Sequence, residues 1–480
     1  SLPASGPLAP AVGAGASFRT YPEFAGVITA TVSTPANGTA PGLLFVASLG
    51  YNYDGVRSLM IFDDLGQPVF IKLTQPGWVI SDFKRQTVGG APYLTYHIGR
   101  GYGGWSYGRA EVLDSSYRLV DTWTIDNSFG ADLHEFLLLD NGHAILMGYV
   151  PVPYDLSPFG GPREGIVMDA LLQEQDAEHN VVFEWRGLQH VALTETLVPL
   201  TTANVDYLHP NALEVDSDGN WLVSNRNTSN IIKINRQSGA IIWRLGGKLN
   251  QFAFANDGGF SYQHDIRRLA NGNITLLDNG NAHAPPHSRA VEYALDEVQL
   301  RATRVWQYPE NTSEYSPLMS NAQRLPNGNT LIGWGSRPKF TEVKPDGTKA
   351  IEGRIGAPSY RAFRAPWSGQ PAEPPRAAVA YASSPVTATV YAAWNGATDV
   401  TGYEVLAGPD AASLALVGQS ARAGFETAIP LTGLPAGTCV FKIRPLRPSG
   451  PAPLSGPAYR RDLPACQALL SPTFLPLASR

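Results

Sequence analysis

The sequence predicts an all-β protein, a six-bladed β-propeller followed by a small β-sandwich, and three observations carry that expectation. The first is a recurring phrase: a polar residue, then the Gly of a turn, then an apolar strand. It reads His134-Glu-Phe-Leu-Leu-Leu-Asp-Asn-Gly142, His209-Pro-Asn-Ala-Leu-Glu-Val-Asp-Ser-Asp-Gly219 and His264-Asp-Ile-Arg-Arg-Leu-Ala-Asn-Gly272, with weaker copies from Ser81 to Gly89 and from Ser320 to Gly328. Asn-Gly and Asp-Gly between apolar runs mark hairpins, because Gly and Asn accept the positive φ of tight turns. The second is a parallel series of outer hairpins. The third is that no long segment of helical period competes.

In chain order, the outer hairpins run Leu59-Met-Ile-Phe to Val69-Phe-Ile-Lys, Ala110-Glu-Val-Leu to Arg118-Leu-Val-Asp and Leu171-Leu-Gln-Glu to Val181-Val-Phe-Glu. They continue with Ile231-Ile-Lys-Ile to Ile241-Ile-Trp-Arg, Ala290-Val-Glu-Tyr to Thr303-Arg-Val-Trp and Phe340-Thr-Glu-Val to Ala350-Ile-Glu-Gly. An inner hairpin plus the next outer hairpin is a four-stranded unit, and six such units around an axis leave only short, protected edges. The first unit is expected to take its inner strands from residues 26–48 and to be closed by residues after Ser359. The propeller is read as residues 1–371, and a Pro-rich linker, Ala372-Glu-Pro-Pro375, follows it. Residues 376–466 carry short alternating strands (Ala388-Thr-Val-Tyr-Ala-Ala-Trp, Gly402-Tyr-Glu-Val-Leu-Ala, Val440-Phe-Lys-Ile-Arg) and read as a fibronectin III-like sandwich, a spacer or adhesion unit, with residues 467–480 as a tail.

Composition narrows the function classes. Hydrophobic content of 43% with 16% charge fits a folded chain with a large core, and a net charge of −5 without a basic run argues against nucleic acid. No apolar stretch reaches the roughly 18 residues of a membrane-spanning helix. Asn37, Asn227, Asn273 and Asn311 stand in glycosylation sequons, and Cys439 and Cys466 are placed to form one disulfide. Together with a start at Ser1 that suits a processed form, these point to the secretory pathway or the outside of the cell. The sequence sets no oligomeric state and calls for no cofactor.

Equivalent positions of a repeat meet at one place, so Ser81, His134, His209, His264 and Ser320 are expected at one rim of the axis. The returning strands are expected to bring His97, Tyr149, Arg226, Asn279 and Trp334 close by, and Asn211 lies two residues past His209. A β-core has no need of imidazole or guanidinium at such positions. Histidine works near neutrality as acid, base or nucleophile. Arg226 offers a fork of donors to an anion, and Asn211 and Asn279 can hold hydroxyls or developing charge. His283 and His287, on the loop after Asn279, fit either a lid over the pocket or a solvated loop. Three histidines on separate blades do not make a metal site by spacing alone, and none is assigned.

The stretches Asp132-Leu-His-Glu-Phe, Phe183-Glu-Trp-Arg-Gly-Leu-Gln-His-Val, Leu208-His-Pro-Asn, Val223-Ser-Asn-Arg-Asn, Gln263-His-Asp-Ile-Arg and Leu325-Pro-Asn-Gly-Asn-Thr-Leu-Ile-Gly-Trp-Gly resemble the secreted arylsulfotransferase-like propeller family over about residues 40–370. The resemblance implies a six-bladed propeller with a funnel-shaped site on one face. Bacterial transferases of this class move a sulfuryl group between phenols through a sulfated histidine, and His209 and His264 match family histidines. Two departures stand out: the arginine expected after Asp-Asn-Gly is replaced by His283 or its neighbours, and the final rim position, where the nucleophile is expected, is Ser320. The favoured reading is therefore a repurposed member acting on a phenolic or aromatic small molecule. Its chemistry would be acid–base dehydration and cyclisation of the hetero-Diels–Alder type, with His209, His264 and Arg226 catalytic. His134, Asn211, Asn279, Tyr149, Trp334, Ser320, Ser81, His97 and His283 would line the substrate. Nucleotide-independent aryl sulfotransfer is the alternative, and a polysaccharide lyase or a non-catalytic glycan-binding propeller follows.

Overall fold

The computed structural model describes residues 17–467 except 28, 49–56, 76, 103, 127–129, 310, 382–385 and 462. The sequence positions before and after that range lie outside it, including Ser1 and most of the 467–480 tail. Among the described residues the α-helical content is one short segment, Pro464–Gln467, and no helix is long and apolar enough to cross a membrane. The rest of the regular structure is almost all β.

Six sheets follow one another through residues 30–365. The second holds Val79–Val88, Ala91–Tyr102, Trp105–Leu113 and Leu119–Trp123. The third holds Phe136–Leu138, Ala144–Tyr154, Gly165–Gln175 and Val181–Arg186. The fourth is Pro210–Val215, Trp221–Asn225, Asn230–Ile234 and Ile241–Gly246. The fifth is His264–Arg268, Ile274–Asp278, Arg289–Asp296 and Arg301–Tyr308, with Ala253–Ala255 added in parallel. The Gly residues of the repeated phrase sit where the turns require them: φ is 84° at Gly142, 81° at Gly219, 87° at Gly272 and 87° at Gly328.

The first and sixth sheets are assembled from both ends of this region. Ser359–Ala365 pairs with Leu43–Ser48, which pairs in turn with Ser58–Phe62 and then Pro68–Leu73. Ala30–Thr34 pairs with Lys349–Ile355 on the outer edge of the sheet formed by Asn321–Arg324, Thr330–Gly333, Lys339–Val343 and Lys349–Ile355. Residues 30–34 belong to the sixth sheet, which corrects the expected first unit; that unit is closed by residues 359–365, in the expected place, with Leu43–Ser48 beside them. The physical reason is burial. Leu43–Ser48 is covered on both faces and needs a hydrogen-bonding partner on both sides, which a single hairpin cannot give.

Apolar cores lie between successive sheets. Phe45, Ile61, Phe83 and Leu94 fill the first interface, Val112, Trp123, Phe136 and Leu146 the second, and Leu172, Trp185, Trp221 and Val223 the third. Leu222, Ile231, Ile274 and Leu276 fill the fourth, and Leu277, Ala290, Ile332 and Val343 the fifth. Leu331, Ile351, Leu44 and Met60 join the sixth sheet back to the first. Each such side chain contributes roughly 1.5–3 kcal/mol by leaving water, so the closed succession of interfaces fixes the inner strands rigidly.

Residues 376–459 form two further sheets, of three and four strands, around one core that includes Val390, Trp394, Tyr403, Val405, Phe441 and Ile443. Cys439 and Cys466 are joined as a disulfide. This module rests on the outer strand of the first sheet. The Asn395 amide donates to Ile71 O and accepts from Ile71 N, both at 2.8 Å, as a neighbouring strand would. Tyr117 stacks on Phe70 at 4.1 Å and donates to Gly396 O at 2.7 Å. The module thus meets the flank of the six-sheet body, away from the inner strands.

Candidate functional site

Ser81, His134, His209, His264, Ser320 and Tyr360 lie within two residues of the start of their inner strands, and these segments are tied to one another. Ser81 Oγ donates to Leu133 O (2.6 Å), Asn211 Nδ2 to Gln263 O (2.7 Å), Tyr360 OH to Asn211 O (2.8 Å) and Ser320 N–H to Tyr360 O (3.0 Å). The inner ladders are irregular here, with register shifts between Ser81 and Lys84, Pro210 and Ala212, and His264 and Arg267. Asp82 (φ 52°), His209 (53°), Asp265 (59°) and Ser320 (86°) lie in the left-handed region. Such bulges re-aim side chains at the cost of about 1 kcal/mol per strained residue. Here they turn imidazoles and carboxylates toward the axis.

The three predicted histidines come together. The His134 and His209 rings are 4.8 Å apart, and Tyr360 lies 5.4 Å from His134 and 6.4 Å from His264. Tyr149 lies 6.4 Å from His134 and 6.1 Å from His209. Each imidazole is held at Nδ1: by Asp132 for His134, by Asp206 for His209 and by Asn279 at 2.6 Å for His264. The Asn279 amide is fixed, because its Nδ2 donates to Ser316 O (2.6 Å) and Met319 O (3.1 Å), which can only accept. Its Oδ1 therefore accepts the Nδ1–H of His264, and neutral His264 carries its lone pair on Nε2. The carboxylate partners impose the same tautomer on His134 and His209. No described residue is hydrogen-bonded to any of the three Nε2 atoms.

Electrostatics keep this cluster poised. Burial, aided by the charge of Arg226, holds His264 well below the usual imidazole range. Burial also lowers His209, against the pull of Asp206. Arg226 stacks over Tyr262 at 4.9 Å and donates to Asn227 Oδ1 at 3.1 Å, while its Nε is buried without a partner. No carboxylate among the described residues forms an ion pair with it. A guanidinium left so is a recognition element for an anion.

The remaining expected residues divide. His97 is buried, its Nε2 2.9 Å from Ser106 Oγ, while Ser106 N–H donates to Asp132 Oδ1 at 2.7 Å, so it braces the carboxylate behind His134. Ser81, Ser320 and Asn211 are fully buried and tie the rim together. Trp334 is a correction. It is buried between the fifth and sixth sheets, donating to Thr341 Oγ1 at 3.0 Å, because strand alternation turns it away from the axis. His283 pairs with Asp278 at 2.7 Å and stacks on His287 on the following loop, with no contact to the three histidines. Asn227 is a second correction: its amide is buried and donates to Asp206 O at 2.6 Å, which supports the partner of His209 and leaves no room for a glycan.

Several residues escape sequence reasoning. Tyr360 is the sixth rim position, without a turn Gly after it because its partner strand lies at the other end of the chain. Asp132 and Asp206 stand two and three residues before their histidines. Below the rim, an ion cluster plugs the axis. Arg361, fully buried, bonds Asp82 (2.8 Å), Glu135 (3.0 Å) and Asn211 O (2.9 Å), while Lys84 pairs with Asp82 and Glu135. Arg267 pairs with Glu135 (2.8 Å), Asp265 (2.7 Å) and Glu214 (3.4 Å). Among the described residues no three His, Cys, Asp or Glu side chains are grouped to hold a metal ion.

A family model described as arylsulfotransferase (ASST) matches residues 84–356, more than half of the chain. Comparison with curated proteins gives no match. Similar solved structures include a protein of unknown function from Bacteroides caccae, 15% identical, covering 68% of this chain and 100% of that one at a TM-score of 0.43. A catalytically inactive virginiamycin B lyase from Staphylococcus aureus with quinupristin is 10% identical, covers 77% and 96%, and has a TM-score of 0.30. A streptogramin B lyase is 9% identical, covers 68% and 87%, and has a TM-score of 0.35. At these identities none of the three bears on substrate or mechanism.

Proposed function

The chain belongs to the arylsulfotransferase (ASST) family, and from that premise we propose that it transfers a sulfuryl group between phenols, with His264 as the covalent carrier. The observation that supports this reading is the state of His264: buried, neutral, fixed by Asn279 with its lone pair on Nε2, and beside an unpaired Arg226. The dehydration and cyclisation reading started from Ser320 at the final rim position. His264 supplies a nucleophile one sheet earlier, so transfer takes precedence.

In the first half-reaction, His264 Nε2 attacks the sulfur of an aryl sulfate, an N–S bond forms and the S–O(aryl) bond breaks. Arg226 neutralises the sulfuryl oxygens, and the leaving group departs as phenoxide. In the second half, His209 Nε2 takes the proton of an acceptor phenol, with Asp206 supporting the imidazolium. The phenol oxygen takes the sulfuryl group while the N–S bond breaks, regenerating neutral His264. His209 then passes the proton to solvent, which balances the phenoxide released. The protein is on this reading a six-bladed propeller (residues 1–371) with a linker at 372–375 and a fibronectin III-like sandwich (376–466). It acts outside the cell, where the disulfide persists and where Asn37 and Asn311 are exposed sequons, while Asn273 is half-buried with its amide donated to Glu292.

The experiment is acceptor-dependent release of 4-nitrophenol from 4-nitrophenyl sulfate, with mass spectrometry of the donor-treated protein. The expected result is a single sulfuryl adduct on the peptide carrying His264, lost in His264→Asn. Turnover by His264→Asn at the wild-type rate overturns the assignment. Cyclisation is the second reading because two imidazoles, each paired with its own carboxylate and 4.8 Å apart, can serve as separate acid and base. It predicts loss of water from a benzylic-alcohol phenol without any adduct.

A further inference from the structure

We propose that Tyr262 positions Arg226 for an anionic aryl ester, seating the guanidinium on its ring without neutralising it. The proposal rests on the reading of the site as one that handles aryl sulfates, and adds the residue that aims the cation. Arg226 opens the tip of the fourth sheet's central hairpin, residues 226–229, between the paired Asn225 and Asn230. Its N–H donates to the carbonyl of the rim residue His209 at 2.9 Å. Its guanidinium carbon stands 4.9 Å from the centre of the Tyr262 ring, and Nε has no partner.

A carboxylate would hold the guanidinium as firmly, but the resulting pair would be neutral and would offer little to a ligand anion. An aromatic face attracts the cation through its quadrupole and leaves both the charge and the N–H donors available. The other partner is neutral too. Asn227 Oδ1 accepts from Arg226 Nη1 at 3.1 Å, and Asn227 is anchored by donating Nδ2 to Asp206 O at 2.6 Å and N–H to Leu208 O at 3.1 Å. Two uncharged partners therefore fix a cation that keeps its full charge.

The segment Tyr262-Gln263-His264 ties that cation to the carrier. Ser229 Oγ, at the far end of the tip, accepts Tyr262 N–H at 2.8 Å. Gln263 is fully buried and donates Nε2 to Asn225 O (3.2 Å) and Asn230 O (2.8 Å), gripping both strands of the hairpin that presents Arg226. His264 follows directly. Tyr262 has a φ of 55° and Ser229 one of 49°. A bulky residue rarely takes the left-handed region, and holds it only where its surroundings over-determine it. In this conformation the ring covers Arg226 while the chain runs on to His264.

The test uses the full chain as wild type, Tyr262→Phe, Tyr262→Leu and Tyr262→Gly. Calorimetry measures binding of benzenesulfonate, an anion whose sulfur cannot be transferred, and of benzenesulfonamide, its neutral counterpart. The glycine variant suits the left-handed φ in case the leucine variant fails to fold. Tyr262→Leu and Tyr262→Gly should each bind benzenesulfonate about tenfold more weakly, and Tyr262→Phe within about threefold of wild type. Benzenesulfonamide binding should change less than about threefold throughout, because only the anion depends on the aim of Arg226. No benzenesulfonate binding by the wild type, unchanged binding by the variants, or equal weakening of both probes overturns the assignment. Release of 4-nitrophenol from its sulfate separates the two readings. If no aryl sulfate is turned over but the anion-selective loss is found, the positioning role stands and sulfuryl transfer falls. If transfer proceeds and Tyr262→Leu and Tyr262→Gly keep the wild-type kcat and KM, the positioning role falls and transfer stands.

Discussion

His97 offers a test of the frame behind the site that needs no substrate. Its ring is packed between Gly99 and Gly108, where a Cβ would approach Nε2 and Cε1 to 2.7 Å, and its Nδ1 has no partner. Burial lowers its pKa from 6.5 to about 4, against the attraction of Asp132 and with added repulsion from His134 and Arg109. In the unfolded chain the group binds a proton below pH 6.5; in the fold it does not until pH 4. Stability is therefore fully present above pH 6.5 and is lost as pH falls through this window. At 1.36 kcal/mol per unit the loss is about 3 kcal/mol from this residue alone. His97→Gln removes the titration while keeping a partner for Ser106. Urea unfolding at pH 7 and at pH 4.5 should show the variant less stable at pH 7, by about 1–2 kcal/mol for the loosened packing. The drop between the two pH values should be about 2–3 kcal/mol smaller than in wild type. An unchanged drop would refute the buried neutral imidazole and, with it, the bracing of Asp132.

Other outcomes follow from the same geometry. Burial, with Glu135 and Asp265 adding to it against Arg267, raises Glu214 to about 7, so the fold loses stability as pH rises from 4.5 to 7; Glu214→Gln should flatten that decline in thermal melts and gain about 1–3 kcal/mol at pH 8. Arg361→Met removes one of the three cations that balance Asp82, Glu135 and Asp265, leaving Lys84 and Arg267 for them, and should cost about 3–5 kcal/mol in urea unfolding. Asn279→Leu frees Nδ1 of His264, and should lower kcat at least about tenfold with a smaller effect on KM, read as 4-nitrophenol release.

The rim was legible because its residues share one phase relative to turn glycines, and hydrogen bonds between successive blades keep that phase in space. Phase alone does not say which face a side chain takes, so Trp334 was placed at the axis when alternation sends it into an apolar interface. Tyr360 was hidden because its hairpin is closed through space rather than along the chain. The plug was hidden for another reason. Asp82, Glu135 and Asp265 each directly follow a rim residue, and Lys84 and Arg267 come two residues later, but in an ordinary strand alternation would send acid and cation together to the face opposite the rim residue. Only the bulges, which leave no clear sequence mark, gather them.

The strand from Ser359 to Ala365 is the last of the six-sheet body to be synthesised, and it inserts beside one of the first. It also carries Tyr360 and Arg361, so neither the floor of the pocket nor the charge balance beneath it exists until the circle is latched. A nascent chain shorter than this holds every histidine yet has no assembled centre. On the transfer reading, turnover would then serve as a readout of completed folding, with misassembled or clipped molecules silent by construction.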